Sequence, residues 1–304
     1  MFEEGEMSAG EIPSGRGGWS VPVGPAVEVI IPSLGRQDVL IHTLDAIRQL
    51  YPNLAVRVAL QGDDIRPLLH ERFGRSGNFT VEYRPAPALI EALNHAVSNS
   101  RADICILLDD DAVPCDGWLE AHLTGLNSEP AVAYTYGREV NTSRWRSLGS
   151  EILRIAGELV FGLPLSSRTK LHGRIIGWTN SFGFVFANFH LPGSCVINAP
   201  AEGNLAFPRT LFLASGGFDE RFTGNAWGYG PEWGLRLARQ GLYGRYVGDA
   251  IMIHRQHATG GTRSGRRSAW YRSYVANTRI FVETVGPLGW IGAAPRLIRR
   301  YFVR

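Results

Sequence analysis

An apolar run from Ile104 to Leu108 leads directly into three carboxylates, Asp109, Asp110 and Asp111. A run of this length and composition predicts a strand buried in a parallel sheet, and the carboxyl end of such a strand lies where open α/β sheets bind ligands. Three carboxylates at that place repel one another and lose hydration, so a positive charge must compensate them. A divalent metal that carries a phosphorylated substrate would do so, although a solvated acidic loop or a helix N-cap also explains the triplet.

The segments before the triplet alternate between strand and helix patterns. Strands are predicted at Val27 to Ile31, Val56 to Leu60 and Thr80 to Tyr83. Helices are predicted from Val39 to Leu50 and from about Pro87 to Ser98. This order predicts right-handed crossovers and one mostly parallel sheet, with its polar loops open on one edge. No Gly-x-Gly-x-x-Gly sequence opens the first helix, so the pattern is not that of a dinucleotide-binding fold.

Four segments combine into a recognisable pattern. They are Ile30 to Arg36, Leu108 to Asp111, Gly203 to Glu220, and Pro231 to Arg263 with His254 within it. Together they resemble glycosyltransferase family 2 over roughly Val27 to Asn277. The resemblance implies an α/β fold of the GT-A type, in which a mostly parallel, Rossmann-like nucleotide-binding sheet is flanked by helices and joined to a smaller acceptor-side half. It also implies an enzyme that moves a sugar, with inversion, from a nucleoside-diphosphate sugar to a hydroxyl of a glycan or lipid-linked acceptor.

The resemblance further implies which residues bind the metal and the donor. Asp111 and His254 are expected to hold Mn²⁺ or Mg²⁺, and His257 is a weaker candidate for the same role. Because a lone histidine is often a core residue bonded to a backbone carbonyl, His254 also has a purely structural explanation. Asp109 is expected at the donor ribose and Asp110 beside the sugar. The expected donor-binding residues are Pro32, Ser33, Arg36, Gln61, Asp63, Asn94, Asp109 and Asp110.

Glu232 is the expected general base, since inversion requires a carboxylate that takes the proton of the acceptor hydroxyl. Pro231 fits the first turn of a helix, where an acid is also favourable without any catalytic role. The second acid that the family commonly carries is replaced by Trp233, and Asp219 is the reserve candidate for the base. Contacts to the acceptor are expected from Asn204, Gly217, Asp219, Trp227 and Tyr229.

Two departures from the family pattern keep other functions open. Leu60 stands where the family usually has an acid that binds the base of the donor, so either Gln61 or Asp63 substitutes for it or the donor is not a uridine nucleotide. A retaining transferase on the same fold would need no general base. A catalytically inactive protein that binds nucleotide sugars would fit the absent acids at Leu60 and Trp233. A nucleotidyltransferase is disfavoured because no basic, glycine-rich loop lies near Pro32.

Composition divides the chain into four parts. We expect a disordered leader at 1–24, a nucleotide-sugar-binding half at 25–130, an acceptor-side and catalytic half of the same domain at 131–262, and a basic helical tail at 263–304. The tail has nine arginines against one acid and interleaves them with aromatic side chains, which predicts peripheral contact with an anionic membrane. A clamp on the donor pyrophosphate by Arg263, or a helix packed on the domain, would also explain the tail.

The sequence lacks the features that would indicate a nucleic-acid partner, secretion or a membrane-spanning segment. No recognised nucleic-acid-binding module is present, so no nucleic-acid partner is expected. Neither a secretory signal nor an apolar stretch of about 20 residues is found, and the three cysteines have no metal-binding spacing. These features predict a cytoplasmic protein, with the inner face of the membrane as its expected site of association.

Overall fold

A mixed sheet forms the centre of the protein, as described by a computed structural model that covers residues 24–141, 169–255 and 267–302. Its first strands are β1 (Val27–Leu34), β2 (Ala55–Gln61), β3 (Phe79–Arg84), β4 (Ile104–Leu108), β5 (Ala112–Pro114) and β6 (Val132–Asn141). The later strands of the described residues are β7 (Lys170–Leu171), β8 (Arg174–Ile175), β9 (Trp178–Thr179), β10 (Val185–Phe186), β11 (Ser194–Ile197), β12 (Asn204–Pro208) and β13 (Tyr243–His254). The helices are α1 (Gln37–Leu50), α2 (Arg66–Phe73), α3 (Leu89–Asn99), α4 (Trp118–Leu126), α5 (Arg209–Ala214), α6 (Tyr229–Ala238), α7 (Arg267–Val285) and α8 (Trp290–Phe302), with 3-10 turns at Gly74–Ser76 and Pro287–Gly289.

The main sheet has the strand order β11-β13-β6-β12-β4-β1-β2-β3, with β5 paired to β13. Strands β1 to β4 form the parallel half that the sequence predicts, and their carboxyl ends share one edge. Strand β12 is antiparallel to both β4 and β6, whereas β13 runs parallel to β6. One continuous sheet therefore joins the two predicted halves of the domain, 25–130 and 131–262.

Strand β4 is buried along its whole length between two hydrophobic cores. Successive side chains of a strand point to opposite faces. Cys105 and Leu107 accordingly pack in the core that includes α3, whereas Ile104, Ile106 and Leu108 pack in the core that includes α1. Burial on both faces fixes the end of β4, and with it the start of the acidic triplet.

Helix α6 begins at Tyr229, so Pro231 lies in its first turn, as the sequence predicts. Its first turn is closed by the Glu232 N–H, which donates to the Gly228 carbonyl at 2.9 Å. Gly228 has a φ of +96°, a backbone conformation that favours glycine. The glycine thus sets the direction in which the chain enters the helix.

The C-terminal helices α7 and α8 pack against the rest of the protein. Asn277 of α7 accepts a hydrogen bond from the Thr223 N–H at 3.1 Å and donates to the Thr223 carbonyl at 2.8 Å. Phe281 of the same helix is fully buried in the core beside α3 and α6. Among the described residues, no helix combines the length and the apolar character that a bilayer span requires.

Candidate active site

The three carboxylates that follow β4 lie in different environments. Asp110 is fully buried, accepts a hydrogen bond from the Ser33 hydroxyl at 2.7 Å and pairs with the Arg36 guanidinium. Its backbone carbonyl accepts a further bond from the Thr43 hydroxyl at 2.7 Å. Burial raises the pKa of Asp110, against the opposing effect of Arg36 and Ser33. The oxygens of Asp110 therefore hold the loop between β1 and α1, and its expected place beside the donor sugar stays a prediction.

Asp109, Asp111 and His254 come together as a group that can bind a divalent metal. One ligand atom from each lies within 4.8 Å of the others. His254 Nε2 is 3.0 Å from Asp111 Oδ1 and 3.7 Å from Asp109 Oδ2. The register of the sheet explains this proximity, because His254 ends β13 and pairs with Ala112 of β5, the residue directly after Asp111.

The electrostatics of this group favour a bound cation. Burial raises the pKa of Asp109 to about 6, with repulsion from Asp111, Asp110 and Glu139 adding to the rise and His254 opposing it. Burial alone would lower the pKa of His254, but hydrogen bonds to Asp111 and Glu139 and the nearby carboxylate charges raise it to about 10. Two carboxylates and one imidazole are a donor set that suits Mn²⁺, and a metal would take the place of the imidazolium proton as compensating charge.

Gly203 gives Asp109 the space that its carboxylate occupies. A Cβ at residue 203 would lie 2.2 Å from Asp109 Oδ2, which is too close for any side chain. The Asp109 N–H also donates to the Gly203 carbonyl at 3.3 Å. This contact follows from the pairing of Asn204 with Leu108, which sets the two loops side by side.

Two further carboxylates, Glu139 and Glu202, border the metal group and are absent from the sequence prediction. The Tyr136 hydroxyl donates to Glu139 Oε1, and the residues directly before Glu202 pack against Gly230 in the first turn of α6. Burial, together with the charges of Asp109 and Glu139, raises the pKa of Glu202 to about 8. The available sequence signals were the position of Glu202 directly before the Gly203 segment and that of Glu139 at the end of a long strand.

Glu232, the predicted base, lies in the interior between helices. Its side chain is 2% exposed and accepts hydrogen bonds from Arg236 Nε at 2.9 and 3.1 Å and from the Thr284 hydroxyl at 2.9 Å. A general base must reach the acceptor hydroxyl directly or through one water. The carboxylate of Glu232 instead joins α6 to α7, and this placement argues against a catalytic role.

Most predicted donor residues lie in or directly after the parallel strands. Pro32 and Ser33 belong to the end of β1 and Gln61 ends β2, whereas Arg36, Asp63, Asp109 and Asp110 follow β1, β2 and β4. Gln61 is 2% exposed and accepts a hydrogen bond from the Ala88 N–H at 2.7 Å, so it fixes the entry to α3, whereas Asp63 is exposed. Asn94 lies within α3, and its amide both accepts from the Phe218 N–H and donates to the Phe218 carbonyl.

Two of the predicted acceptor residues, Asn204 and Tyr229, are buried. Asn204 is fully buried and bonded to Trp118, His122 and the Ala250 carbonyl, which corrects its assignment to the acceptor. Tyr229 is 4% exposed, and its pKa is raised by burial and by the charges of Glu202 and Asp109.

The other three acceptor candidates, Gly217, Asp219 and Trp227, contact neighbouring residues of the protein. Asp219 pairs with Arg221, and the backbone of Gly217 passes so close to Asn94 that a Cβ there would be 2.9 Å from its amide oxygen. Trp227 packs on Tyr274 and Phe281. His257 and Arg263 lie outside the described residues.

A protein-family model described as "Glycosyl transferase family 2" matches residues 28–185. The match includes the Ser33–Arg36 loop, the acidic triplet and Glu139. A comparison with curated protein sequences gave no significant match.

Three solved structures share the fold at low sequence identity. The mannosyltransferase PcManGT from Pyrobaculum calidifontis, in complex with GDP-Man and Mn²⁺, is 18% identical with a TM-score of 0.56, over 92% of this chain and 70% of that chain. GalNAc-T7 with UDP, GalNAc and Mn²⁺ is 14% identical with a TM-score of 0.57, over 91% of this chain and 54% of that chain. TarS 1–349 of S. aureus in complex with UDP-GlcNAc is 10% identical with a TM-score of 0.54, over 91% of this chain and 72% of that chain. These similarities confirm the predicted GT-A type of α/β fold.

Proposed function

The chain belongs to glycosyl transferase family 2 and is therefore a glycosyltransferase; from this premise we propose that it transfers a sugar, with inversion, from a nucleoside-diphosphate sugar to a hydroxyl of a glycan or lipid-linked acceptor. The observation that carries the proposal is the group of Asp109, Asp111 and His254 at the carboxyl edge of the sheet. When bound there, Mn²⁺ or Mg²⁺ would neutralise the charge that develops on the departing nucleoside diphosphate.

The loop between β1 and α1 supports a phosphate-containing donor. Arg36 Nη1 lies 3.0 Å from Asp111 Oδ2, and the same guanidinium pairs with Asp110, so a fixed cation stands at the metal group. A diphosphate offers such a guanidinium charge-assisted hydrogen bonds. Asp63 is exposed at the same edge and is available to the base or the ribose of the donor. The three structural relatives were solved with GDP-Man, with UDP and GalNAc, or with UDP-GlcNAc, which supports the same ligand class for this chain.

Binding of the donor can be tested by a thermal-shift screen against UDP-, GDP- and dTDP-sugars, each with and without Mn²⁺. We expect a stabilising shift that needs both the metal and one class of nucleotide. Asp111→Asn should abolish this shift. Asp45→Asn is the matched control, because Asp45 lies in α1 away from the metal group, has a side chain that is 44% exposed and pairs with Arg72. Folded protein that gives no metal-dependent shift with any donor would contradict the proposed function.

The surface of α8 supports an acceptor at a membrane. Of the eight exposed large hydrophobic side chains of the described residues, five lie in or just before this helix: Leu288, Trp290, Ile291, Ile298 and Tyr301. Trp290, Ile291, Ile298 and Tyr301 fall on one side of the helix at helical spacing. Exposed arginines accompany them, including Arg300 and also Arg267, whose guanidinium donates to the Tyr301 carbonyl. An apolar face next to arginines suits the interface of an anionic bilayer.

The membrane contact has its own test. The protein should co-sediment with vesicles that contain phosphatidylglycerol more than with phosphatidylcholine vesicles, and salt should weaken the difference. The double variant Trp290→Ser and Ile298→Ser should lose this binding, whereas Leu213→Ser, an exposed apolar residue of α5, should not. Equal binding by both variants, or self-association through the α8 face in sedimentation velocity, would contradict the membrane contact.

A further inference from the structure

We propose that Glu202, rather than Glu232, is the carboxylate that takes the proton of the acceptor hydroxyl. The inference rests on the proposed function, because a base is needed only if the sugar is transferred with inversion. It departs from the sequence-based expectation in both the residue and the element that carries it. Glu202 lies in the loop between β11 and β12, whereas Glu232 lies within α6.

The carboxylate of Glu232 is already occupied. Arg236 and Thr284 together donate three hydrogen bonds of 2.9 to 3.1 Å to it. The side chain is also almost completely buried, so an acceptor could approach only after α6 and α7 separate. Separating them would break the hydrogen bond that the Thr284 hydroxyl of α7 donates to Glu232.

Glu202 lies beside the metal group. The next residue, Gly203, contacts the Asp109 carboxylate, and the charges of both Glu202 and Asp109 act on the buried phenol of Tyr229. Glu202 itself is partly exposed. It therefore combines access to a ligand with proximity to the residues that would hold the metal and the leaving group.

The loop that carries Glu202 is fixed in place by α6. It rests on the start of that helix, since a Cβ at Gly230 would lie 2.9 Å from the Pro200 carbonyl oxygen and 3.3 Å from that of Ala201.

Two other carboxylates near the site, those of Glu139 and Asp219, already bind residues of the protein. Glu139 accepts a hydrogen bond from the Tyr136 hydroxyl and interacts with His254, so it supports a metal ligand. Asp219, the reserve candidate, binds Arg221 through both carboxylate oxygens.

In the reaction, the acceptor oxygen would attack the anomeric carbon from the face opposite the leaving group. The new carbon–oxygen bond forms as the bond from the anomeric carbon to the phosphate oxygen breaks, and that electron pair leaves with the nucleoside diphosphate. The hydroxyl proton passes to the carboxylate of Glu202, so that charge and atoms balance.

The experiment compares Glu202→Gln with Glu232→Gln by two separate measurements. Donor binding is measured by titration calorimetry with Mn²⁺, using the nucleotide sugar that stabilises the wild type. Turnover is measured as release of the nucleoside diphosphate in the presence of water and of a panel of glycan and polyprenyl-phosphate-linked acceptors. We expect Glu202→Gln to bind the donor within about threefold of wild type and to lose at least about 100-fold in turnover. Glu232→Gln should keep its turnover per folded molecule.

Each alternative gives a different result. Glu202→Gln with wild-type turnover would overturn the inference, and so would a parallel loss of donor binding, which would make Glu202 a ligand of the donor or metal. A wild type that binds no nucleotide sugar, or binds without any turnover, would overturn the proposed function itself. If Glu202→Gln does not fold, Glu202→Asp keeps the charge but withdraws the carboxylate by one methylene. Its turnover should fall between those of the wild type and an inactive variant, with donor binding retained, and unchanged turnover would contradict the proposal.

Discussion

Replacing Glu232 by glutamine removes the negative charge of an almost fully buried side chain and keeps its shape. In the native protein this carboxylate binds Arg236 Nε and the Thr284 hydroxyl. The same guanidinium donates to the carbonyl oxygens of Ser215 and Gly217. The ion pair itself lies within α6, and the hydrogen bonds of its two partners connect this helix with α7 and with the turn that follows α5. Loss of the pair should therefore destabilise the whole junction.

The size of the effect follows from burial. Removal of one partner from a buried ion pair costs about 3–5 kcal/mol. Two features reduce this figure, because glutamine still offers one acceptor oxygen and the side chain of Arg236 is 27% exposed, so water can hydrate the guanidinium. We therefore expect the free energy of unfolding to fall by about 2 kcal/mol.

Urea unfolding followed by tryptophan fluorescence measures this change, with an unchanged m-value as the sign that the folded state is intact. Glu283→Gln is the matched control, because Glu283 pairs with Arg221 on the surface, with both side chains 59% exposed. Its effect should stay below about 0.5 kcal/mol. If Glu232→Gln were as stable as wild type and yet inactive, Glu232 would be the base, and the assignment of that role to Glu202 would fail.

Three further predictions concern the metal group and its support. Gly203→Ala should displace the Asp109 carboxylate and lower Mn²⁺ affinity by about 10–100-fold, whereas Gly74→Ala, with its nearest atom at 3.5 Å, should not. His254, with a pKa of about 10, carries a proton at neutral pH, so Mn²⁺ binding at pH 7 should release about one proton. Calorimetry in buffers of different ionisation heat measures this release. Binding of Mn²⁺ without proton release would refute the prediction. Burial holds the pKa of His122 at about 4, so its contribution to stability is complete above pH 6.5 and falls by about 3 kcal/mol towards pH 4. Unfolding free energies across that range should show this loss, and His122→Gln should flatten it.

The parallel half of the fold and the metal group were accessible from the sequence because their signals are local. Strand β4 is an unbroken apolar run, and the acidic triplet follows it without a gap. His254 could be placed for the same reason, since it ends an apolar run and strand ends gather at sheet edges. The roles within the triplet were not accessible. Asp110 differs from Asp109 and Asp111 in that the Ser33 hydroxyl donates to its carboxylate, and that contact joins residues 77 positions apart.

The environment of the candidate base was harder to predict. Glu232 lies in the first turn of α6, as the sequence predicts. Its carboxylate nevertheless binds Arg236 of the same helix and the Thr284 hydroxyl of α7, which lies 52 positions further along the chain. No local pattern shows which face of α6 meets α7, so the sequence could not reveal this burial.

Glu202 was not among the predicted site residues because its position near Asp109 depends on β12, which runs antiparallel to β4 inside a sheet predicted to be mostly parallel. Only the pairing of Asn204 with Leu108 brings residues 202 and 203 to Asp109. The loop before β12 also meets the first turn of α6, where Gly230 lies against the carbonyl oxygens of Pro200 and Ala201. Both contacts join segments that are far apart in the chain or run in an order that the sequence pattern did not predict. On the proposal that Glu202 is the base, the motif in α6 would indicate the reaction while a residue of the neighbouring loop performs the proton transfer.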